Sequence, residues 1–339
     1  MEKNKEILIK VRNLKKYFPI KAGIIKKTVG HVKAVDDVNL DIYKGETLGL
    51  VGESGCGKTT LGKTILQLIK ATEGTIEYND DGNIVELTQM SDKEFDPYRK
   101  KLQIVFQDPY SSLNPAFTIY GSLSEPLIKF GVSDKKERID IIGNLLEEVN
   151  LPAEYMSRYP NEFSGGQRQR IGIARALSVQ PQVIILDEPV SALDVSIQAQ
   201  VLQLLINLKE KNDLTYVFIS HDLSVVEYIA DRVAVMYLGK IVELCETDEL
   251  YKNPLHPYTD ALLSAIPVAD VTIKQDRKPL QGDVPSPSNP PSGCTFHPRC
   301  PECMEICKVE APELKNYEVN GQKHFVSCHK VDQDMKSEA

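Results

Sequence analysis

The order of apolar and polar positions predicts an alternation of strands and helices. Residues 7–50 read as short strands, ILIKVRN, HVKAVDDVNLDI and GETLGLVG, the last an apolar run ending in glycine as a buried strand does. TLGKTILQLIKA then carries apolar residues at helical spacing. GTIEY and IVELT, on either side of DDG, predict an antiparallel hairpin. From about Asp108 to Leu177 the spacing is mostly helical, punctuated by proline and glycine. VIILDEP and YVFISHD predict two more buried strands, each followed by a helical stretch, IQAQVLQLLINLKE and SVVEYIADR. Strands alternating with helices imply right-handed crossovers and a largely parallel sheet, hence an α/β protein. Near residue 265 the composition turns: QGDVPSPSNPPSGC predicts an extended linker or structured loop, and a cysteine-rich tail follows it.

Composition narrows the classes. A chain of 339 residues, 42% hydrophobic and 26% charged, is long enough for one large or two modest cored domains. Its net charge of -8 leans against a nucleic-acid partner. No apolar run reaches the roughly 18 residues that a membrane span needs, and MEKNKEILIKVRNLKKYF lacks the apolar core of a signal peptide. The expectation is a cytoplasmic protein that meets a membrane only through a partner. Cys56 and Cys245 stand alone, whereas Cys294, Cys300, Cys303, Cys307 and Cys328 crowd the C-terminal end. In a reducing cytosol such crowding points to metal more often than to disulfides.

Three motifs carry chemistry. Gly52-Glu53-Ser54-Gly55-Cys56-Gly57-Lys58-Thr59 fits G-x-x-x-x-G-K-[ST], follows an apolar strand and opens a helix. Its glycines let backbone N–H groups converge on phosphate, and the helix start adds positive potential. Lys58 is placed to reach the β- and γ-phosphates and Thr59, followed by Thr60, to ligate Mg²⁺. Cys56 inside the loop reads as a tolerated small residue. Val183-Ile184-Ile185-Leu186-Asp187-Glu188 ends a buried strand in two carboxylates, at the end where open α/β sheets place their sites. Asp187 is expected on Mg²⁺ and Glu188 on the attacking water. Ser164-Gly165-Gly166-Gln167, after Phe163, stands at a helix start and forms a second anion-binding concavity. Two phosphate-binding surfaces on one chain are best satisfied by a head-to-tail dimer, each nucleotide lying between one subunit's loop and the other's turn.

The Ser-Gly-Gly-Gln turn with its neighbours resembles the signature of ABC-transporter nucleotide-binding domains. The resemblance implies a P-loop NTPase core with an antiparallel β subdomain and an α-helical subdomain, plus a small cysteine-rich C-terminal extension. It implies that Gln107 in IVFQDP links Mg²⁺ and the attacking water to membrane subunits, and that Ser191-Ala192-Leu193-Asp194 crosses the dimer interface. It also implies that His221 in FISHDL contacts the γ-phosphate, and that Phe18 in NLKKYF stacks on adenine, with Tyr17 as competitor. The catalytic set is then Glu188, His221, Lys58 and Gln107, with Thr59, Gln107 and Asp187 on Mg²⁺. The nucleotide-binding domain is expected over 6–265, with its helical subdomain at about 108–177, and the Pro-rich linker and Cys-rich extension over 266–339.

FQDPYSSLNP, YKNPLHPYTDALLSAIP and PSPSNPPSGCTFHPRCP further resemble the ATP-binding subunits of peptide permeases, in particular the oligopeptide-permease type. The implied partners are a second ATPase subunit in a heterodimer, two transmembrane permease subunits and a peptide-binding protein. The implied cofactors are ATP and Mg²⁺. The spacing of Cys294, Cys300, Cys307 and Cys328 resembles that of family members holding a 4Fe-4S cluster; zinc, with His297, His324 or His329 as nitrogen ligands, and a metal-free tail stay open, and Cys303 leaves the ligand choice unsettled. Importers of nickel, glutathione or another small solute have similar subunits. A non-transport ABC ATPase fits less well, since the chain has one phosphate loop and no long coiled-coil insertion, and a nucleotide-sensing regulator fits less well because Glu188 and His221 are both present.

Overall fold

The computed structural model describes residues 5–23, 26–108, 112–266, 278, 280–319 and 321–337. The chain forms two compact units: Met1–Tyr43, Leu48–Gln89 and Ser220–Ala339 make the first, Lys44–Thr47 and Met90–Ile219 the second.

The first unit holds an antiparallel sheet in the order Lys27–Tyr43, Ile7–Ala22, Glu73–Asp80, Asn83–Glu86. Its inner face buries Ile9, Val11, Leu14, Leu40, Ile42 and Ile76. The hairpin expected around DDG is present: Asp81 and Gly82 sit at φ 52 and 93 between paired Asp80 and Asn83, the positive-φ pair that a tight hairpin turn needs. The first two strands run further than their sequence patterns suggest, because Ile7–Ala22 and Lys27–Tyr43 keep pairing beyond the apolar stretches, with register shifts between Val11 and Leu14.

The same unit holds the strands Lys315–Val319, Gln322–Val326, Lys240–Glu246 and Arg232–Tyr237, then the strand Thr47–Val51 from Leu48 on, in that order across the sheet. Only the last pairing is parallel. The expectation of a largely parallel sheet fails here because Tyr237 and Lys240 are joined by Leu238-Gly239 alone, at φ 43 and 81. So short a link makes a hairpin, whereas a crossover needs a dozen residues. The hairpin of Lys315–Val319 and Gln322–Val326 was not expected either, although Asn-Gly at 320–321 is its sequence signal. It joins the sheet through Glu243–Val326 and Leu244–Phe325, and a fully buried pair locks it: His324 Nε2 lies 2.7 Å from Glu243 Oε1. Backbone N–H groups of Leu255 and His256 also donate to the Glu243 carboxylate, at 2.7 and 3.2 Å. Such satisfaction is what makes a buried carboxylate tolerable.

The second unit is parallel, as expected: Leu102–Val105, Val183–Asp187 and Thr215–Ile219 lie side by side, and every residue of the latter two is buried. Four helices follow the predicted spacing, Ile119–Lys129, Lys135–Glu148, Gly165–Leu177 and Val195–Asn212. Thr118 and Asp134 cap the first two through Gly121 and Glu137 N–H groups. Pro109-Tyr110-Ser111 of the FQDPYSSLNP motif and Pro267 of the HPYTDALLSAIP segment lie outside the described residues. The Pro-rich stretch at 281–294 is a docked loop, with Lys33 N–H donating to Pro287 C=O at 3.0 Å. No helix among the described residues is long and apolar enough to cross a membrane.

Candidate functional site

The strand Thr47–Val51 delivers the chain into a glycine loop in the first unit, and the helix Lys58–Ile65 leaves it. Gly52, Gly55 and Gly57 take φ of 145, 80 and 110. At Gly52 and Gly57 an added Cβ would lie 2.1 Å from the Met236 carbonyl oxygen and 2.0 Å from that of Ala34. These two positions therefore require glycine by contact as well as by torsion. Lys58 is buried, and its Nζ donates to the carbonyls of Gly52 at 2.7 Å and Glu53 at 3.1 Å, so the ammonium folds back into the loop. That is the shape a phosphate cradle takes, with backbone amides and one fixed cation. Burial pushes the Cys56 thiol up. Ser54 and Gly55 are exposed, while Thr59 and Thr60 are half-buried in the first helical turn.

Two contacts on this loop were invisible in the sequence. Arg299 grips the Glu53 carboxylate with both prongs, at 2.6 and 3.0 Å, and the Tyr258 hydroxyl accepts from the Glu53 N–H at 2.9 Å. Arg299 sits in HPRCP, between a proline and a cysteine, and no local pattern ties it to a residue 246 positions earlier.

Phe18 presents a 37% exposed ring, with Lys16 Nζ 4.9 Å from its centroid. Its competitor Tyr17 is tied down, the hydroxyl bonded to Asp36, and burial with that partner raises its pKa. His221 is exposed, one residue past Ser220, whose N–H donates to Leu50 C=O at 3.2 Å. The next residue, Asp222, caps the helix Leu223–Ile229 through the Ser224 N–H.

In the second unit the buried strand Val183–Asp187 ends at buried Asp187 and half-buried Glu188. Glu188 adopts φ 47, an uncommon left-handed conformation for a side chain of this size, and its N–H donates to Ile219 C=O at 3.0 Å. Gln107 Nε2 donates to Glu188 Oε2 at 2.8 Å, so this unit brings together two sequence-predicted residues 81 positions apart. Ser164 caps the helix Gly165–Leu177 in a reciprocal box: its Oγ accepts from the Gln167 N–H at 3.4 Å, and Gln167 Oε1 accepts from the Ser164 N–H at 3.0 Å. Gly166 packs on the side chain of Ile197, 2.6 Å from where a Cβ would stand. Ser191, Ala192 and Asp194 are exposed.

The C-terminal thiols form no disulfide among the described residues, and burial pushes Cys294 up to about 11 and Cys300 up to about 12, helped by neighbouring cysteines that include Cys328 in both cases. Cys307 C=O accepts from the Cys294 N–H at 2.8 Å. Among the described residues no three His, Cys, Asp or Glu side chains converge as a metal-holding group. The candidate nitrogen ligands are engaged elsewhere: His324 with Glu243, His329 with Glu310 C=O at 3.0 Å, His297 Nδ1 with Cys294 C=O at 2.9 Å.

Comparison with known proteins bears on this geometry. Residues 35–191 match the family described as ABC transporter, and residues 242–307 the family described as oligopeptide/dipeptide transporter, C-terminal region. The chain is 52% identical to the oligopeptide transport ATP-binding protein AppF of Bacillus subtilis, over 96% of this chain and 98% of that one. It is 50% identical to the putative oligopeptide transport ATP-binding protein YkfD of Bacillus subtilis, covering 95% of each. Among solved structures, the ATP-binding cassette MJ0796, captured as a post-hydrolysis dimer with ADP and Pi, matches with TM-score 0.62 and 31% identity over 71% of this chain and 99% of that one. With its glycine cradle, its capped Ser-Gly-Gly turn and these relatives, the chain belongs to the ABC transporter ATP-binding proteins, in the group that carries the oligopeptide/dipeptide transporter C-terminal region.

Proposed function

We propose that this chain binds and hydrolyses ATP to drive an ABC importer of oligopeptides or dipeptides from the cytoplasmic face of a membrane. The observation that carries the ATPase reading is the Lys58 ammonium folded into a loop that only glycine can form at Gly52 and Gly57. Peptide as cargo rests on the relatives, described as peptide transport or import ATP-binding proteins, and on the C-terminal region they share with this chain. The partners follow from the same reading: a sister ATPase subunit, two permease subunits and a peptide-binding protein.

Roles are assigned by motif and supported by local geometry. The loop from Gly52 to Thr60 cradles the triphosphate, and Lys58 neutralises charge on the β- and γ-phosphates. Mg²⁺ ligation is assigned by motif to Thr59, Gln107 and Asp187; the ion would supply charge neutralisation at the phosphates. Glu188 orients and deprotonates the attacking water, and its hydrogen bond to Gln107 ties the base to the loop expected to report to the permease. His221 contacts the γ-phosphate, Phe18 stacks on adenine, and Ser164, Gly165, Gly166 and Gln167 close on the sister subunit's nucleotide. A 4Fe-4S cluster or Zn²⁺ on Cys294, Cys300, Cys307 and Cys328 rests on their spacing along the sequence alone, and no step of the cycle is derived through it. Iron and zinc analysis after anaerobic purification tests it, and less than one metal per chain removes it.

Glu188→Gln tests the mechanism. It is expected to cut steady-state hydrolysis by about 10²–10⁴ while ATP binding persists. Undiminished hydrolysis takes Glu188 out of the base role. Uptake of labelled peptides by cells lacking this subunit tests the cargo, and normal uptake overturns it.

A further inference from the structure

The phosphate loop is held from outside itself. Glu53 follows the first glycine of the cradle, and three of its polar groups are engaged at once. Its carbonyl accepts from Lys58 Nζ at 3.1 Å, its N–H donates to the Tyr258 hydroxyl at 2.9 Å, and its carboxylate takes both prongs of Arg299 at 2.6 and 3.0 Å. The Arg299 side chain is 5% exposed and that of Glu53 26%. The guanidinium also lies 5.9 Å from the Tyr237 ring centroid. Beside it Phe296, 1% exposed, packs against Tyr237 and Tyr258 with centroids 5.3 and 5.4 Å away. The brace is therefore anchored in an aromatic cluster and cannot swing freely.

We propose that Arg299 is a positioning residue for nucleotide binding: the C-terminal extension reaches back to clamp Glu53 and so presets the phosphate loop. Two physical effects follow. A two-pronged arginine–carboxylate pair fixes orientation as well as charge, so the loop amides are ordered before nucleotide arrives. An unneutralised carboxylate in the loop also repels a polyphosphate, and the guanidinium cancels that charge. Both effects act on phosphate affinity and neither on the hydrolytic base, so the signature is in KM and not in kcat.

The inference rests on the reading of residues 52–59 as the phosphate cradle, and the experiment separates the two. MgADP binding to the purified full-length chain is measured by calorimetry, and ATP turnover in the assembled transporter. Arg299→Ala is expected to weaken MgADP binding about tenfold and to raise KM for ATP similarly, with kcat within about twofold. In a Glu53→Gln background the same substitution is expected to change affinity less than about twofold, because the clamped partner is gone. Unchanged affinity for Arg299→Ala, or equal losses in both backgrounds, overturns the proposal. Should Arg299→Ala not fold, Arg299→Lys keeps the stem and the charge but not the fork, and about threefold weaker binding is expected; no change overturns the proposal there too. Lys58→Ala is the control: if it binds MgADP like the parent, the cradle reading itself fails, whatever Arg299 does.

Discussion

The glycine cradle at Gly52–Thr59 and the Ser-Gly-Gly turn at Ser164–Gln167 both open helices, yet they are built differently. The cradle depends on distant chain: Met236 and Ala34 carbonyls press on its glycines, Tyr258 holds its N–H and Arg299 its carboxylate. The turn is more local, since Ser164 and Gln167 satisfy each other, and at Gly166 the tight neighbour is the Ile197 side chain. A cation already lies inside the first, whereas exposed Ser164 leads the second with its hydroxyl proton still available to donate. The contrast is between a loop braced by distant chain and a helix start that caps itself.

The largest effect that separates them is steric. Gly57→Ala forces a Cβ onto backbone at 2.0 Å in a left-handed conformation, and about 3 kcal/mol of stability is expected to be lost. Gly166→Ala meets the Ile197 γ-methyl at 2.6 Å, held by the stiff χ1 of a β-branched residue in a helix but side chain and not backbone, and about 2 kcal/mol is expected. Denaturant unfolding compares the two, and equal losses erase the distinction.

Acid sharpens the comparison next. His256 caps the helix Pro257–Ser264, which carries Tyr258, and burial lowers its pKa from 6.5 to about 4, against the pull of Glu243. The unfolded chain takes up this proton near 6.5 and the folded chain only near 4, so the contribution is intact above 6.5 and drains away as pH falls toward 4. Between pH 7 and 5 the loss from this group is about 2 kcal/mol. His256→Asn, which keeps a capping oxygen, is expected to flatten that part of the pH–stability curve; an unchanged curve removes His256 as its source.

The smallest effect is at the turn. Ser164→Ala is expected to cost about 1 kcal/mol through the lost cap. MgADP binding to the isolated chain is expected to stay unchanged while turnover of the paired subunits falls. Weakened binding in the isolated chain contradicts a turn that serves only the sister's nucleotide.

Much of this was legible locally. The five-residue strands Thr47–Val51 and Val183–Asp187 are apolar apart from Thr47, Gly49 and Asp187, so burial could be read from composition, and the loop after the first needs glycines at fixed offsets. Gln107 and Glu188 were each visible at the edge of a motif. The antiparallel turn at Leu238-Gly239 was less legible, since leucine rarely adopts positive φ and nothing in MYLGKIV announces that it does. The hairpin of Lys315–Val319 and Gln322–Val326 was hidden by its polar, half-exposed strands, despite its Asn-Gly.

By itself the sequence determined the chemistry: a phosphate loop, a carboxylate pair, a Ser-Gly-Gly helix start and their order along one chain. These are short motifs whose function follows from backbone conformation and residue type within a few positions. Only the tertiary structure decided what supports them. Arg299 on Glu53, His324 on Glu243 and Gln107 on Glu188 join residues 246, 81 and 81 positions apart. Side chains so far apart in sequence meet only where the chain's return path brings them, and no local periodicity encodes that path.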